Sequence, residues 1–112
     1  MTDKNVLVII KSRPFKTLNY YEALRTAAGL WDHKVNVLWF NEGVYSAINS
    51  IDKTLSGKFL VDLPDLDIGL YVDGESLKKT GFKDEDLVEK AKIADEDKII
   101  ELLDAAEVTL VF

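Results

Sequence analysis

Residues 68–82, IGLYVDGESLKKTGF, contain the pattern that decides the fold of this 112-residue chain. An apolar strand over residues 68–72 leads into a turn at Asp73-Gly74, and a short helix then runs to Gly81. A strand that turns directly into a helix is the unit of an open α/β sheet, in which functional residues lie at the carboxyl ends of the strands. Asp73 therefore stands where a functional side chain is expected.

Four other segments also have strand-like patterns. Residues 5–10 form a β-branched apolar run typical of a strand that is covered on both faces, and residues 34–40 alternate as a second strand. A weak alternation over residues 87–93 predicts an edge strand, and residues 108–112 predict a closing strand. Because helical patterns separate these strands, the sequence predicts an α/β fold with a largely parallel sheet and helices on both faces, in one domain over residues 1–112.

Apolar residues at steps of three and four predict the helices. The first helix is expected to run from an N-cap at Thr17 to about Trp31, and a shorter one is expected over residues 44–51. Residues 53–67 contain a glycine, a proline and several charges, which favour an irregular segment. The last helix is expected to begin after an N-cap at Asp95. The predicted apolar faces are Leu18, Tyr21, Leu24, Ala28 and Trp31 in the first helix and Ile99, Ile100, Leu102, Leu103 and Ala106 in the last.

The composition argues against several classes of function. A net charge of −6 disfavours direct nucleic-acid binding, which needs a basic surface. The lack of cysteine excludes disulfides, thiolate catalysis and cysteine metal sites, and with one histidine neither a metal nor a cofactor is predicted. No apolar run approaches the ~20 residues that span a bilayer, and the first residues lack a signal-peptide pattern, so a cytoplasmic protein without a membrane partner is expected.

Charged residues follow the first three predicted strands. Lys11 and Arg13 lie in the loop KSRPFK beside a helix start, where they would contact an anion or a partner's acidic patch. The lack of a glycine-rich phosphate loop favours an ordinary solvated loop instead. Glu42 follows the second strand, and Asp73 and Glu75 follow the third, so these carboxylates would share a crevice with Lys11 and Arg13, where they would bind a cation or act as acid and base. The alternative is that the Glu-Gly and Asp-Gly pairs simply form turns.

Aromatic residues and the single histidine also have two interpretations each. Tyr20 and Tyr21 are adjacent on a helix and diverge by ~100°, so they cannot both point into the core. An exposed tyrosine, together with Tyr45, would suit a subunit interface or would cover the edge of the core. His33 beside Asp32 would suit general-base chemistry, but adjacent residues seldom face one target, which favours a surface histidine.

Three long segments resemble the DsrE/DsrF-like sulfur-relay family. They are NYYEALRTAAGLWDHKVNVLWFNEGVYSAI, LYVDGESLKKTGF and DKIIELLDAAEVTLVF, which together span nearly the whole chain in order. Within the family the chain is most similar to the TusC/DsrF branch. The patterns of that branch, EGLDALLA, FFxxDGV, VCAASLRERGL and ADxVLxF, look like residues 22–25, 39–44, 72–82 and 106–112.

The resemblance implies a three-layer α/β/α domain with a mainly parallel five-stranded sheet, which assembles into homomeric or heteromeric rings or paired trimers. Family members pass sulfur along as cysteine persulfide, either in dissimilatory sulfur oxidation or toward thiolation of tRNA. The carrier cysteine of active members follows the third strand, and the matching residue here is Asp73. A carboxylate cannot form a persulfide, so sulfurtransferase activity is not predicted for this chain.

Two functions are therefore compatible with the sequence. The first is a non-catalytic, TusC/DsrF-like subunit that assembles with other DsrE-, DsrF- or DsrH-like subunits or with copies of itself. The second is a homo-oligomeric protein that binds a small ligand, or a diverged enzyme, and uses the pocket around Asp73.

Overall fold

A computed structural model describes residues 4–13, 18–48 and 57–112 of the chain. None of the helices in these ranges is both long and apolar enough to cross a membrane. The predicted N-cap at Thr17 and the last part of the helix predicted over residues 44–51 lie outside the described residues. The elements in chain order are β1 (Asn5–Ile10), α1 (Asn19–Gly29), β2 (Lys34–Trp39), a 3-10 helix (Asn41–Ala47), α2 (Gly57–Asp65), β3 (Gly69–Asp73), α3 (Gly74–Thr80), a second 3-10 helix (Asp84–Asp86), β4 (Ala91–Ala94), α4 (Glu96–Ala105) and β5 (Val108–Val111).

The five strands are all parallel, and their order across the sheet is β4-β3-β2-β1-β5. The chain moves in one direction from β1 to β4 and then crosses back over the sheet to β5. Since crossovers between parallel strands are right-handed, α1, α2 and α3 lie on one face, here called the first face, and α4 lies on the second face. The predicted α/β fold with helices on both sides of a parallel five-stranded sheet is confirmed.

The first face of the sheet carries the larger core. Val8 and Val37 are fully buried there, and they belong to one cluster with Leu24 of α1, Leu63 of α2 and Leu77 of α3. Three helices thus pack against one side of the sheet, and burial of their apolar side chains is the main stabilising contribution of this layer.

The second face of the sheet is covered less completely. A smaller cluster consists of Leu7, Leu38, Ala94 and Leu102, the last of which belongs to α4. Among the residues that the structure describes, α4 is the only helix on this face. Because no second described helix packs beside α4, part of its predicted apolar face is exposed. Leu102 is the only buried residue of α4.

The buried face of α1 differs from the predicted one. Leu18 and Trp31 lie outside the helix and are 59% and 63% exposed, because α1 begins after Leu18 and ends at Gly29. The stripe that faces the sheet is rotated by about one residue and also has helical spacing, so periodicity alone favours neither stripe. Its members are Tyr20, Ala23, Leu24 and Ala27. Two alanines in the stripe allow the helix to approach the sheet closely.

Two other predicted segments have different structures. The irregular segment predicted over residues 53–67 contains α2, because Leu60 and Leu63 lie one turn apart and both are buried. Pro64 is the next-to-last residue of α2 and does not prevent the helix. The segment predicted as a helix over residues 44–51 begins earlier, as a 3-10 helix, at Asn41, whose φ of 51° turns the chain sharply.

The stretch around β3 forms the predicted elements. β3 turns directly into α3, and Gly81 ends that helix with a φ of 83°, a conformation that glycine adopts without strain. Asp95 caps α4 as predicted, since its Oδ1 accepts the backbone N–H of Lys98 at 2.8 Å. β4 lies at an edge of the sheet as predicted, although it begins only at Ala91.

Gly43→Ala is expected to destabilise the fold. A Cβ on Gly43 would lie 1.9 Å from the carbonyl oxygen of Ile10. The backbone at the end of β1 or in the 3-10 helix that contains Gly43 would therefore have to move. We expect the free energy of unfolding, measured by urea denaturation, to fall by about 1–3 kcal/mol, the usual effect of overpacking.

Gly29→Ala is the matched control. No atom lies within 4 Å of its Cβ position, and replacing a helical glycine by alanine usually stabilises a protein by about 0.5–1 kcal/mol. Equal losses of stability in the two variants would contradict the close approach of Gly43 to the end of β1.

Candidate functional site at the carboxyl edge of the sheet

The carboxyl ends of all five strands lie at one edge of the sheet, where backbone contacts join the loops that follow them. Phe40 donates its backbone N–H to the carbonyl of Ile10 at 2.9 Å, and Lys11 donates its backbone N–H to the carbonyl of Phe112 at 2.7 Å. Gly43 packs directly against the end of β1. Ligands of open α/β sheets bind at this edge, so it is the candidate site.

Asp73 lies at this edge as the N-cap of α3. Its Oδ2 accepts the backbone N–H of Ser76 at 3.1 Å and the Ser76 hydroxyl at 2.5 Å. The Oγ of Ser76 in turn accepts the backbone N–H of Asn41 at 2.9 Å. A chain of hydrogen bonds therefore links the corner between β3 and α3 to the loop after β2.

These contacts give Asp73 a structural role. Both Asp73 and Ser76 are only 6% exposed, and a buried polar group is unfavourable unless it is hydrogen-bonded. An aspartate N-cap typically stabilises a helix by about 0.5–2 kcal/mol, and its charge also interacts favourably with the helix N-terminus.

A cavity of about 540 Å³ lies between the first turns of α3 and α4. Its polar lining includes both helix caps, Asp73 and Asp95, and two neighbouring carboxylates, Glu75 and Glu96. Its apolar lining consists of Phe40, Ile93, Ala94, Ile99 and Ile100. Within the described ranges, no group of three His, Asp or Glu side chains is arranged to hold a metal ion. Apolar walls with a few polar groups, and a volume in the range of roughly 300–1,000 Å³, are typical of small-molecule sites.

The structure separates Lys11 from Asp73. Lys11 lines another cavity, of about 300 Å³, between α4 and the ends of β1 and β5. Phe40 lines both this cavity and the one that contains Asp73. The shared crevice predicted for the charged residues is therefore divided beside Phe40 into two cavities.

Glu42 and Arg13 form a third location at the same edge. Glu42 lines a cavity of about 230 Å³ together with Tyr45, Ser76 and Lys79. The guanidinium of Arg13 lies 5.4 Å from the centroid of the Tyr45 ring, close enough for a cation–π interaction. Of the residues predicted to form one site, Arg13 and Glu42 therefore lie near Tyr45.

The three tyrosines predicted at an interface have different environments. Tyr20 is 3% exposed and lies in the core, so the interface prediction is wrong for its side chain, and the reason is the rotated buried stripe of α1. Tyr21 is half-buried, and its ring meets that of Phe59 edge-to-face, with centroids 5.6 Å apart. Tyr45 is half-buried beneath Arg13. An interface role for Tyr21 and Tyr45 stays a prediction.

His33 lies at the opposite edge of the sheet. It precedes β2, and its Nδ1 accepts the backbone N–H of Lys4 at 3.1 Å. Its Nε2 lies 3.8 Å from the carboxylate of Asp32. These contacts join the segments before β1 and β2, which supports a structural histidine rather than a general base.

Sequence reasoning missed Ser76 and Asn41 as members of the site. Ser76 is the third residue after the Asp73 cap, and an N-cap side chain usually accepts the N–H of that residue. The Asp73–Ser76 contact therefore has a sequence signal. The contact with Asn41 joins residues 35 positions apart and has no such signal. It depends on the neighbouring positions of β2 and β3 in the sheet.

Comparison with known proteins identifies related sequences and folds. A family model described as the DsrE/DsrF-like family matches residues 4–112. No curated protein sequence matches the chain significantly.

Two solved structures have the same fold. The ychN protein from E. coli is 14% identical with a TM-score of 0.85, and the match covers 99% of this chain and 100% of that chain. The protein of unknown function MTH1491 from Methanobacterium thermoautotrophicum is also 14% identical, with a TM-score of 0.67 and coverage of 92% of this chain and 90% of that chain. At this level of identity the similarity establishes the fold alone.

Asp73→Ala is expected to lower the free energy of unfolding by roughly 1–3 kcal/mol. The substitution removes the cap of α3 and leaves the buried hydroxyl of Ser76 without its acceptor. Asp73→Asn should lose less, because asparagine is nearly as good an N-cap as aspartate. Urea denaturation measures both changes.

Asp95→Ala is the control for loss of a cap alone. It removes the hydrogen bond to Lys98, but Asp95 is exposed, so no buried partner is left unsatisfied. Its loss should be smaller than that of Asp73→Ala, at about 1 kcal/mol. Wild-type stability in Asp73→Ala would contradict the role assigned to the network.

Proposed function

Because this chain belongs to the DsrE/DsrF-like family, we propose that it is a non-catalytic, TusC/DsrF-like subunit of a cytoplasmic sulfur-relay assembly. The observation that carries the proposal is the lack of cysteine in all 112 residues. The persulfide chemistry that the resemblance implies needs a thiolate to take up sulfur. A chain without a thiol contributes to such a relay by assembling with subunits that have one.

The environment of Asp73 supports this proposal. The resemblance implies that Asp73, after the third strand, matches the carrier cysteine, and its Oδ2 accepts two hydrogen bonds from Ser76. The start of a helix favours an anion, whether it is a thiolate or a carboxylate. The corner thus holds an anion that stabilises α3 and cannot accept sulfur.

The proposed partners are cysteine-containing DsrE- or DsrH-like subunits or further copies of this chain. Either pathway implied by the resemblance, sulfur oxidation or tRNA thiolation, is compatible with such a subunit. Tyr45 is a candidate interface residue, because it is half-buried at the carboxyl edge, beside the corner that contains Asp73. Tyrosine is enriched at the centres of protein interfaces.

Co-expression with cysteine-containing DsrE- and DsrH-like proteins of the same organism is expected to give a stable complex. Its mass is measured by light scattering after size-exclusion chromatography. Tyr45→Ala should weaken the complex by about tenfold or more, the effect of losing about 1.4 kcal/mol of contact energy.

Trp31→Ala is the matched control, since it removes an exposed aromatic side chain at the opposite edge of the sheet. The complex should tolerate that change. If the chain is strictly monomeric alone and in the presence of every relay subunit, the proposed function is wrong.

A second candidate function is the binding of a small ligand in the 540 Å³ cavity. The observation that favours it is the carboxylate of Asp73, a nearly buried group that lines the cavity beside the apolar Phe40 and Ile99. Apolar walls with one buried charge would suit a small molecule that has both an apolar body and a positive group.

A thermal-shift screen of organic amines, metal ions and other small metabolites tests this second function. A true ligand at about 100 times its Kd adds about 2.7 kcal/mol of stability and raises the melting temperature accordingly. Asp73→Asn should reduce that shift while preserving the helix cap, and Glu89→Gln, which removes an exposed carboxylate outside the cavity, should not. The lack of any shift in the wild-type protein would refute the ligand-binding function.

A further inference from the structure

We propose that the second face of the sheet is a docking surface for a basic, amphipathic segment of a partner protein. The docking surface consists of the exposed side of α4, the adjoining side of β5 and the two cavities beside α4. Exposed apolar side chains, two grooves and an acidic charge balance characterise this surface.

Apolar side chains are exposed along the docking surface. Ile100 and Leu103 of α4 are 49% and 44% exposed, and Val111 of β5 is 58% exposed. Val111 is paired with Ile9, so both side chains point to the same face of the sheet as α4. Leu103 and Val111 line the 300 Å³ cavity and Ile100 lines the 540 Å³ cavity, and exposed apolar surface of this kind is typical of interaction sites.

The docking surface contains two grooves that side chains of a partner would fill. The 300 Å³ cavity lies on the β1 and β5 side of α4 and is lined by Leu38, Leu103 and Val111. The 540 Å³ cavity lies on the β3 and β4 side. Ile99 lines both cavities, so α4 forms a ridge between two grooves. An amphipathic helix inserts side chains spaced three and four residues apart into grooves of this kind.

The charge on this face is strongly acidic. Residues 95–104, the cap and body of α4, contain five carboxylates and one lysine, which gives this segment a net charge of −4. That lysine, Lys98, is paired with Glu101 at 3.3 Å and lies 5.2 Å from the centroid of the Tyr71 ring. The hydrogen bond to Glu101 and the nearby Tyr71 raise the pKa of Lys98, so it stays charged and already has an intramolecular partner.

The acidic excess persists when the rest of the surface is included. Lys11 and Lys78 line the two grooves, and Lys92 is paired with Tyr71 of the second face. With these residues and the carboxylates Asp73 and Glu75, the docking surface and its rim contain seven carboxylates and four lysines. A partner with lysine or arginine beside its apolar side chains would be complementary in both respects.

The same charges disfavour a two-fold symmetric dimer of this chain through the docking surface. A two-fold symmetric dimer brings the same patch of both subunits together, so each residue of the patch faces the corresponding patch on the other subunit. The acidic rim of α4 would then face itself, and like charges across an interface are unfavourable. A basic segment of a different protein therefore fits better than the same surface of a second copy.

The binding of a synthetic amphipathic helix made of leucine and lysine tests the proposal. The probe has about four turns, and its affinity for the full chain is measured by isothermal titration calorimetry. We expect binding that weakens as the salt concentration rises, and backbone amide shifts in the NMR spectrum that map to α4 and β5. Ile100→Ser combined with Leu103→Ser should weaken binding about tenfold or more, because apolar surface is lost without a change in charge.

Two controls are matched to the site. Val61→Ser removes an apolar side chain that is 66% exposed on α2, above the first face, and should leave the affinity unchanged. Asp97→Lys with Asp104→Lys should weaken binding, whereas Glu85→Lys with Glu89→Lys, which gives the same net charge away from α4, should have a much smaller effect.

Three outcomes would overturn the proposal. One is equal loss of affinity in the α4 variants and in their controls, which would indicate non-specific attraction. Another is equally tight binding of a leucine and glutamate helix. The third is an oligomer, detected by analytical ultracentrifugation, that Ile100→Ser with Leu103→Ser converts to a monomer, because a second copy of the chain would then occupy the surface.

Discussion

The handedness of crossovers between parallel strands is the constraint on which the rest of this structure depends. Three successive connections run in one direction and place their helices on the first face, whereas the return from β4 to β5 places α4 on the second, where it is the only helix within the described ranges. One helix cannot cover five strands, so Ile100 and Leu103 are half-exposed although their spacing suits a buried face. The parallel arrangement also brings the carboxyl ends of all the strands, and the residues that follow them, to one edge.

At that edge the structure places a carboxylate, that of Asp73, at the start of α3. Asp73 is almost completely buried, and a buried carboxylate is strongly unfavourable unless donors satisfy it. Ser76 donates its backbone N–H and its hydroxyl to Oδ2 of Asp73, and its Oγ accepts the backbone N–H of Asn41. The same oxygen cannot both hold this network and react with a substrate, so the structural role of Asp73 and a chemical role would compete.

The sequence predicts the sheet better than the helices, for a physical reason. A buried parallel strand is a run of apolar residues, as in β1, and this pattern has few alternatives. Helical spacing in α1 fits two stripes, and the one that contains Tyr20, Ala23 and Ala27 is buried because small residues fit closely against the sheet. α2 is hidden from prediction by Pro64, because a proline usually argues against a helix interior, whereas here it is the next-to-last residue of the helix.

The candidate site was predictable only where it depends on local sequence. Asp73 is identified by the strand, turn and helix around it, and Ser76 follows from the geometry of an N-cap. The separation of Lys11 from Asp73 depends on Phe40, and the contact of Ser76 with Asn41 depends on the neighbouring positions of β2 and β3. Such contacts between distant segments have no local pattern from which to infer them.

Phe40 connects the docking surface to the candidate site. Its ring lines both grooves beside α4, and it is followed directly by Asn41, whose N–H is held by Ser76. A partner that fills either groove would contact Phe40 and thus lie one residue from the hydrogen-bond chain that includes Asp73. Coupling between sites is carried by contiguous packed and hydrogen-bonded groups of this kind. The docking surface and the corner at Asp73 are therefore adjacent parts of one edge, joined through Phe40 and Asn41.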